Sequence, residues 1–395
     1  MIGVGVSLKF LGKTVGGGPR NLAPVITSSP VTTATDGTAY SYQVQATDPE
    51  GGSLSYSLPT KPTGMTISAS GLVQWTPSSA GSEAVIIRVT DDKAAFTDQA
   101  YTIAVAEIPY LLDILVVGGG GSGGCYYWSG GGGGAGGLKT LSQVAPVENT
   151  NYTITVGAGG ADNVYYYGGN KGTNSVISGT GITTTTSTGG GAGGAQAANY
   201  SAYNGACGGG AGVNAALYSG GTGSEGGYGG ANTIDNKRRG SGGGGGMSAS
   251  TGTGGDSTFN SSTQILKGGD GGDGLAWLNG TTYAGGGGGG AAITSGTFGD
   301  YYFDRGLGGS GGGGSAGYGS SYNLQAATDA TINTGSGGGG GVKSTGYVIN
   351  AGSGASGVVI IRYTGAQRGT GGTVTSAGGY TYHTFNSSST FNSGS

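Results

Sequence analysis

Histidine, cysteine and charged residues are scarce in this sequence. One His and two Cys are too few for a multi-histidine metal site or a four-cysteine zinc site. Charged residues make up only 9% and the net charge is −3, which argues against electrostatic binding of nucleic acid. No apolar run reaches the ~20 residues that a membrane-spanning helix needs, so we expect no membrane insertion. Residues 1–11 place no cationic region before a long apolar core, so we expect no signal peptide.

Glycine is abundant instead, at 99 of 395 positions. So much glycine usually indicates low complexity, and the sequence lacks the strict three-residue repeat of collagen. It also contains 24 Tyr, 3 Trp and 7 Phe, which a simple flexible linker would not need. The glycine content alone therefore suggests disorder, and the aromatic residues argue against a simple flexible linker.

Residues 23–107 contain few glycine runs and read as an all-β domain. Short alternating segments are separated by turn signals at the spacing of a small β-sandwich. One turn is expected at 48–52, and Pro77 ends a strand. The expected strands are 39–46, 54–58, 71–75, 83–90 and 101–105.

The stretches ATDPEGGSLSYSL at 46–58 and GLVQWTP at 71–77 resemble immunoglobulin-like, cadherin-like modules of bacterial and phage surface proteins. The resemblance covers residues 22–106 and implies a spacer or display module without catalysis. Some relatives bind calcium between modules, and oxygen ligands are what calcium prefers. The candidate ligands here are Asp48, Glu50, Asp91 and Asp92, and the alternative is that these are solvated acids of turns.

Residues 108–363 consist of glycine runs separated by aromatic and polar segments. The β-branched segments 111–117, 151–156 and 357–363 predict strands that form a small β base. Repeated polyglycine predicts polyglycine-II helices, which have three residues per turn and bond only to their neighbours. The expected fold is therefore mostly β and irregular: a small Ig-like β-sandwich, then a glycine-rich polyglycine-II helix bundle on that base. The longer runs are 130–134, 189–191, 208–210, 242–246, 285–290, 311–314 and 337–341.

The segments between glycine runs are rich in Tyr, Gly, Ser and Asn, a composition typical of antibody binding loops. A basic cluster at 237–239 could contact phosphate or acidic sugar, or lie solvated. The aromatic residues could equally cover a core that has no side chains of its own. The candidate receptor-binding residues are Tyr126, Tyr127, Trp128, Tyr165, Tyr166, Tyr167, Tyr200, Tyr203, Lys237, Arg238, Arg239, Trp277, Tyr283, Tyr301, Tyr302, Phe303, Tyr318 and Tyr322.

The motifs LVVGGGGSGG at 115–124 and GVVIIRY at 357–363 resemble the glycine-rich domain of phage tail proteins. More distantly, residues 111–363 resemble the tail-fibre-tip adhesins of T-even-type phages. That resemblance implies polyglycine-II sandwiches whose variable distal loops bind outer-membrane receptors. Those adhesins have a dedicated attachment domain at the N-terminus, where this chain has an Ig-like module.

Other chemistry finds little support in the sequence. The G-x-G-x-x-G matches lack a strand–turn–helix context, so we expect no nucleotide and no other cofactor. His383 is the only histidine, and no feature nominates a catalytic pair of acids, so we expect no enzyme. Residues 268–276 fit a calcium-binding nonapeptide, but such repeats bind only when stacked. Cys125 and Cys207 could pair, which their spacing does not decide.

These observations predict a phage tail-fibre adhesin that recognises a bacterial cell-surface glycan or outer-membrane protein. We expect several copies per virion, contacts with other tail or fibre subunits, and a location in the virion tail after synthesis in the host cytoplasm. The alternative is a structural tail protein whose loops contact other subunits. An antifreeze protein would need a flat Thr-rich face, and 183–186 is the only compact Thr run. The expected domains are a virion attachment segment at 1–22, the Ig-like module at 23–107, the glycine-rich domain at 108–363 and a tail at 364–395.

Overall fold

The computed structural model contains two compact units, Met1–Pro109 and Tyr110–Ser395, and each is described by itself. Within the part of the chain that it describes, the regular secondary structure is β throughout and no helix occurs. The described residues are 20–107, 110–125, 128–162, 168–195, 202–213, 217–235, 238–250, 252–261, 265–293, 302–320, 323–344 and 347–394.

The first unit is a β-sandwich. A four-stranded sheet has the order β2-β9-β8-β5, a three-stranded sheet the order β3-β7-β6, and β1 pairs with β4. The strands are β1 Val25–Ile26, β2 Thr33–Thr35, β3 Tyr40–Gln43, β4 Ala46–Thr47, β5 Leu54–Thr60, β6 Thr66–Ile67, β7 Leu72–Trp75, β8 Gly81–Asp91 and β9 Phe96–Ala106.

The alternation of the sequence decides which side chains fill this sandwich. In β8 every second residue is buried, so Val85, Ile87 and Val89 point to the same side. They pack with Tyr42 and Trp75 of the other sheet in one apolar cluster. The Trp75 indole donates a hydrogen bond to the Thr63 carbonyl at 3.1 Å, which satisfies its polar atom.

The second unit contains longer strands near both ends of its chain and short strands between them. The strands are β10 Leu112–Val117, β11 Leu138–Val144, β12 Asn151–Thr155, β13 Ser175–Gly179, β14 Ile182–Ser187, β15 Thr233–Asp235, β16 Arg238–Gly240, β17 Thr258–Asn260, β18 Ile265–Lys267, β19 Leu275–Ala276, β20 Thr282–Tyr283, β21 Ala291–Ile293, β22 Tyr302–Asp304, β23 Tyr318–Ser320, β24 Asn323–Gln325, β25 Val342–Ser344, β26 Tyr347–Ile349, β27 Val358–Thr364, β28 Thr373–Ala377, β29 Tyr380–Phe385 and β30 Ser389–Asn392.

The longer strands form two sheets around one apolar core. The five-stranded sheet has the order β11-β10-β27-β29-β28 and the four-stranded sheet the order β14-β13-β12-β30. Residues 364–395, which the sequence predicts to be a tail, supply β28, β29 and β30 to these sheets. The core between them contains Leu112, Ile114, Val116, Tyr152, Ile154, Ile177, Val359, Ile361, Tyr363, Phe385 and Phe391.

The glycine segments lie between the strands and are bonded sideways to one another. Along 121–124, successive N–H groups donate to the carbonyls of Gly134, Asn170, Gly352 and Gly131, at 2.8 to 3.0 Å. Backbone donors that are buried this deeply need such partners. We call these segments the glycine array: 118–124, 130–137, 189–195, 205–212, 221–230, 242–246, 268–274, 285–290, 306–314, 337–341 and 352–357.

The prediction of a polyglycine-II helix bundle is wrong. No helix occurs in the described residues, whose regular structure is a set of small β-sheets. The prediction rests on the glycine runs and on the resemblance to tail-fibre-tip adhesins. It treated the residues between the runs as irregular loops, whereas many of them, such as β16, β21 and β23, pair as short strands.

The array has two distinct ends. At the proximal end, Gly118 follows β10, Gly137 precedes β11 and Gly357 precedes β27. At the distal end, Gly130 donates to the Gly341 carbonyl at 2.8 Å and Gly290 to the Gly130 carbonyl at 3.1 Å. The chain continues from Gly290 into β21 and from Gly341 into β25. The distal strands are β15 to β18 and β21 to β26.

Candidate functional site

Six of the candidate receptor-binding residues lie at the distal end of the array. Trp128 stands next to Gly130, and the others are on distal strands: Arg238 and Arg239 on β16, Tyr302 and Phe303 on β22, and Tyr318 on β23. The sequence brings them to one end because glycine segments such as 118–124 and 285–290 run from the proximal to the distal end of the array. The candidates that lie outside the described residues are Tyr126, Tyr127, Tyr165, Tyr166, Tyr167, Tyr200, Lys237, Tyr301 and Tyr322.

Short strand pairings hold these distal positions together. β16 pairs antiparallel with β21, opposing Arg239 to Ala292, and β21 pairs in parallel with β23, opposing Ala291 to Tyr318. β22 pairs in parallel with β18, and it also contacts β21 and β23. Basic and aromatic positions from four separate parts of the chain therefore share one surface.

The best-defined contact on this surface is between Arg239 and Trp128. The Arg239 guanidinium carbon lies 4.1 Å from the centre of a Trp128 ring, within the range of a cation–π interaction. Next to it, the hydroxyls of Ser129 and Ser241 are hydrogen-bonded at 2.7 Å, which ties the chain after Trp128 to the chain after Arg239. Partial burial lowers the pKa of Arg239. A planar guanidinium on an aromatic face suits a carboxylate or phosphate ligand.

Trp277 and Tyr283 are not part of this surface, and their assignment as receptor-binding residues needs correction. They are only 8% and 5% exposed and pack at the proximal end with Leu115, Val117 and Ile360. The Asn279 amide donates to the Tyr283 hydroxyl at 2.8 Å. Both side chains therefore have a packing role: on the β19–β20 hairpin, they cover the outer face of the five-stranded sheet.

Tyr203 lies along the side of the array. Its N–H donates to the Ala192 carbonyl at 3.0 Å, between the two ends. The side chain is 36% exposed, and the Lys171 ammonium lies 5.4 Å from its ring centre. It is therefore separate from the distal group.

A cleft at the proximal end was not foreseen from the sequence. It has a volume of about 200 Å³ and is lined by Asn279, Ile360, Thr375, Ala377, Tyr382 and Thr384. Beside it, Arg362 binds the Asp113 carboxylate at 3.2 Å and lies 4.3 Å from the Tyr380 ring centre. The alternation of residues 373–385 was the available signal, because it places Thr375, Tyr382 and Thr384 on one face of the sheet.

The two cysteines and the histidine that the sequence analysis singles out are all buried. No disulfide joins the buried Cys125 and Cys207, and burial raises the pKa of Cys207 to about 12. His383 is fully buried, with Nε2 2.9 Å from the Tyr363 hydroxyl and Nδ1 2.8 Å from the Gly371 carbonyl. Burial lowers the pKa of His383.

The acids considered for calcium accept hydrogen bonds from the chain itself. Burial is the largest single influence on the Asp91 pKa and raises it, but the hydrogen bonds that Asp91 accepts from Asn21, Lys93 and Ala95 together hold this pKa below its usual range. In the 268–276 segment, Asp270 accepts from the Leu307 N–H and Asp273 from the Ser310 N–H. Among the residues that the structure describes, no group of three or more His, Cys, Asp and Glu side chains could hold a metal ion. No helix long and apolar enough to span a membrane occurs in that part of the chain either.

Two family models match this chain. The model of the glycine-rich domain matches residues 96–364, which is more than half of the chain, and the model named "Putative Ig domain" matches residues 23–106. They confirm the glycine-rich and Ig-like modules that the sequence motifs indicate. A comparison with curated proteins found no match.

Proposed function

Because this chain belongs to the glycine-rich domain family, we propose that it is a phage tail-fibre adhesin. The distal surface of its array would recognise a receptor on a bacterium, either a glycan or an outer-membrane protein. The Ig-like module would serve as a spacer, and the chain would act in several copies in the virion tail, in contact with other tail subunits. The proposal assigns no catalysis and no cofactor.

The observation that carries this proposal is the concentration of aromatic and basic positions at one end of the array. The other end is occupied by the two larger sheets and their apolar core. A rigid scaffold that presents short variable segments at one end is a common arrangement for binding proteins. Several copies on one particle would strengthen a weak single contact, because further contacts become effectively intramolecular.

The direct test is binding of the labelled full-length chain to a panel of bacterial surfaces that includes the host. We expect binding to a subset of strains. The double variant Trp128→Ala/Arg239→Ala should reduce it at least about tenfold, a loss of ~1.4 kcal/mol. The matched control is Tyr228→Ala, because Tyr228 is an aromatic residue that is 54% exposed and lies outside the distal strands. Thermal unfolding would establish that all three proteins are folded.

The result also distinguishes an adhesin from a structural tail protein. No binding by the folded chain to any strain of such a panel would overturn the proposal and favour contacts with other tail subunits. Equal losses in the distal double variant and in Tyr228→Ala would show that the distal surface is not the receptor site. Arg239→Lys keeps the positive charge, so a loss of binding as large as that of Arg239→Ala would indicate an acidic ligand held by the planar guanidinium.

A further inference from the structure

The four longest edge strands of the molecule differ in how they are protected. An exposed sheet edge can pair with another chain, and proteins usually blunt it with charges, proline or bulges. β5 contains Pro59, and the register of its pairing with β8 shifts along the strand. β11 contains Lys139, and its pairing with β10 also shifts in register. The pairing of β14 with β13 shifts in register as well. These three and β28 are the edge strands of five or more residues in the described part of the chain.

β28 has none of these protections. Its sequence, TVTSA, contains no charge and no proline, and it pairs with β29 without irregularity. Four of its five residues are exposed, and Val374 is half-buried. The N–H and C=O groups on its outer side therefore form a regular five-residue edge without a charged residue, a proline or a bulge.

Beside this edge lies the proximal cleft described above. Thr375 and Ala377 of β28 form one wall of the cleft, and the buried side chain of Ile360 forms part of its floor. Across it, the β19–β20 hairpin exposes Leu278. A strand added to β28 would thus find apolar surface on one of its two faces.

Residues 2–10 have the pattern of such a strand. Ile2, Val4, Val6, Leu8 and Phe10 alternate with Gly3, Gly5, Ser7 and Lys9, so one face would be apolar and the other small or polar. Residues 11–19 connect this segment to the described chain, and their glycines are typical of a linker. At ~3.5 Å per residue, these nine residues reach at most about 32 Å.

We propose that residues 2–10 of one copy of this chain add a strand to the β28 edge of a second copy. Main-chain hydrogen bonds would supply the affinity, and the alternating apolar side chains entering the cleft would set the register. Every copy carries both the strand and the edge, so association is head-to-tail and needs no other protein. Such contacts form a closed ring or an open chain, depending on the rotation between copies.

The first experiment measures the mass of the full-length chain by sedimentation over a range of concentrations. We expect self-association that Val6→Lys weakens at least about tenfold in Kd, whereas Ser7→Lys leaves it within about twofold. The two substitutions add the same charge to neighbouring residues on opposite faces of the strand. On the acceptor side, Thr375→Lys should weaken association, whereas Thr140→Lys on β11, the other edge of the same sheet, should not.

The second experiment traps the contact between copies. One tagged population carries Val6→Cys and a differently tagged population carries Thr375→Cys, and mild oxidation should produce a disulfide-linked pair that carries both tags. A chain that stays monomeric up to about 100 μM, or association equally insensitive to Val6→Lys and Thr375→Lys, would overturn the proposal. In a third population whose chain carries both Val6→Cys and Thr375→Cys, a disulfide that forms only within one chain would also overturn the proposal. The outcome does not depend on receptor binding, because a chain that binds no bacterium can still self-associate.

Discussion

The glycine array and the apolar core lie in the same unit but are held together by different groups. In the core, Ile114, Val359 and Ile361 exclude water with their side chains, and the attraction has no preferred direction. In the array, neighbouring backbones fill the space, and along 130–137 every N–H donates to a carbonyl of another segment. The core can lose a methyl group and leave a small cavity, whereas the array has no room to gain one. Adding one methyl group to the array should therefore cost more stability than removing one from the core.

Gly287→Ala should give the largest effect on stability. A Cβ at Gly287 would lie 2.0 Å from the Gly338 carbonyl oxygen, and the Gly287 N–H already donates to Gly133. We expect the free energy of unfolding to fall by about 3 kcal/mol or more, the upper end of overpacking effects. Ile361→Val, which removes a methyl from the core, should cost about 0.5–1.5 kcal/mol. Urea unfolding read by proteolysis of the 110–395 unit would measure both.

Gly255→Ala is the matched control for that prediction. The nearest atom to a Cβ at Gly255 is the Asp270 nitrogen at 3.1 Å, so a small shift can accommodate it. The expected loss is about 1 kcal/mol or less, because an added methyl matters less where its neighbours can move. Equal losses at Gly255 and Gly287 would contradict the idea that collision of the added methyl with a neighbouring carbonyl sets the effect.

Sequence patterns predicted the parts of the fold that are held by side chains. Strands β3, β5, β7, β8 and β9 of the Ig-like unit and the strands β10 and β27 follow from alternation or from β-branched runs, which reflect burial directly. The short strands β1, β2 and β6 were not predicted. The distal strands have only three residues each, too few for a periodic signal. The array depends on backbone bonds between distant segments, and no single glycine run specifies its partner.

The candidate site could be predicted only in its composition. Trp128 and Trp277 both stand in short segments among small residues, yet the first lies at the distal end and the second is buried under the β19–β20 hairpin. What separates them is the end of the array that each segment reaches, which depends on how the array is assembled. The Arg362–Asp113 pair joins strands about 250 positions apart in the sequence, so local patterns carried no sign of it.

Acidification should weaken the apolar core before it affects the array. The Gly371 carbonyl can only accept, so Nδ1 of His383 carries the proton. The Tyr363 hydroxyl accepts from the Arg368 and Gly369 N–H groups and donates to Nε2. The buried imidazole is thus held neutral, and its pKa lies below the ordinary value. The unfolded chain therefore binds more protons, so stability is full above about pH 6.5 and falls below it, by at most ~1.4 kcal/mol per pH unit.

Urea unfolding of the 110–395 unit at several pH values between 7.5 and 5 would measure the slope of the free energy of unfolding against pH. Carboxyl groups of ordinary pKa stay ionised over most of that range, so the slope reports mainly on the histidine. His383→Gln should be less stable at pH 7.5, because it disturbs the buried hydrogen bonds to Tyr363 and Gly371. Its free energy of unfolding should, however, no longer fall between pH 7.5 and 5. A slope that persists in His383→Gln would contradict the assignment.

The edges of the array should give the smallest effects, because side chains replace the missing backbone there. The Asp270 carboxylate accepts from the Leu307 N–H at 2.8 Å and binds the Lys267 ammonium at 2.6 Å. Asp256 and Asp329 accept in the same way from the Ala231 and Ser353 N–H groups, both at 2.7 Å. Each of these oxygens takes the place of a carbonyl from an absent neighbouring segment.

Asp270→Ala should lower the free energy of unfolding by about 1 kcal/mol, the usual contribution of one hydrogen bond. Asp270→Asn keeps the acceptor and loses the charge. It should stay within a few tenths of a kcal/mol of the original, since an exposed ion pair contributes ~0–1 kcal/mol. Urea unfolding at low and at high salt separates the two contributions. If Asp270→Asn lost as much as Asp270→Ala, and only at low salt, the ion pair with Lys267 would be the stabilising group. The array edge would then be held by charge, unlike residues 130–137, whose N–H groups all donate to backbone carbonyls.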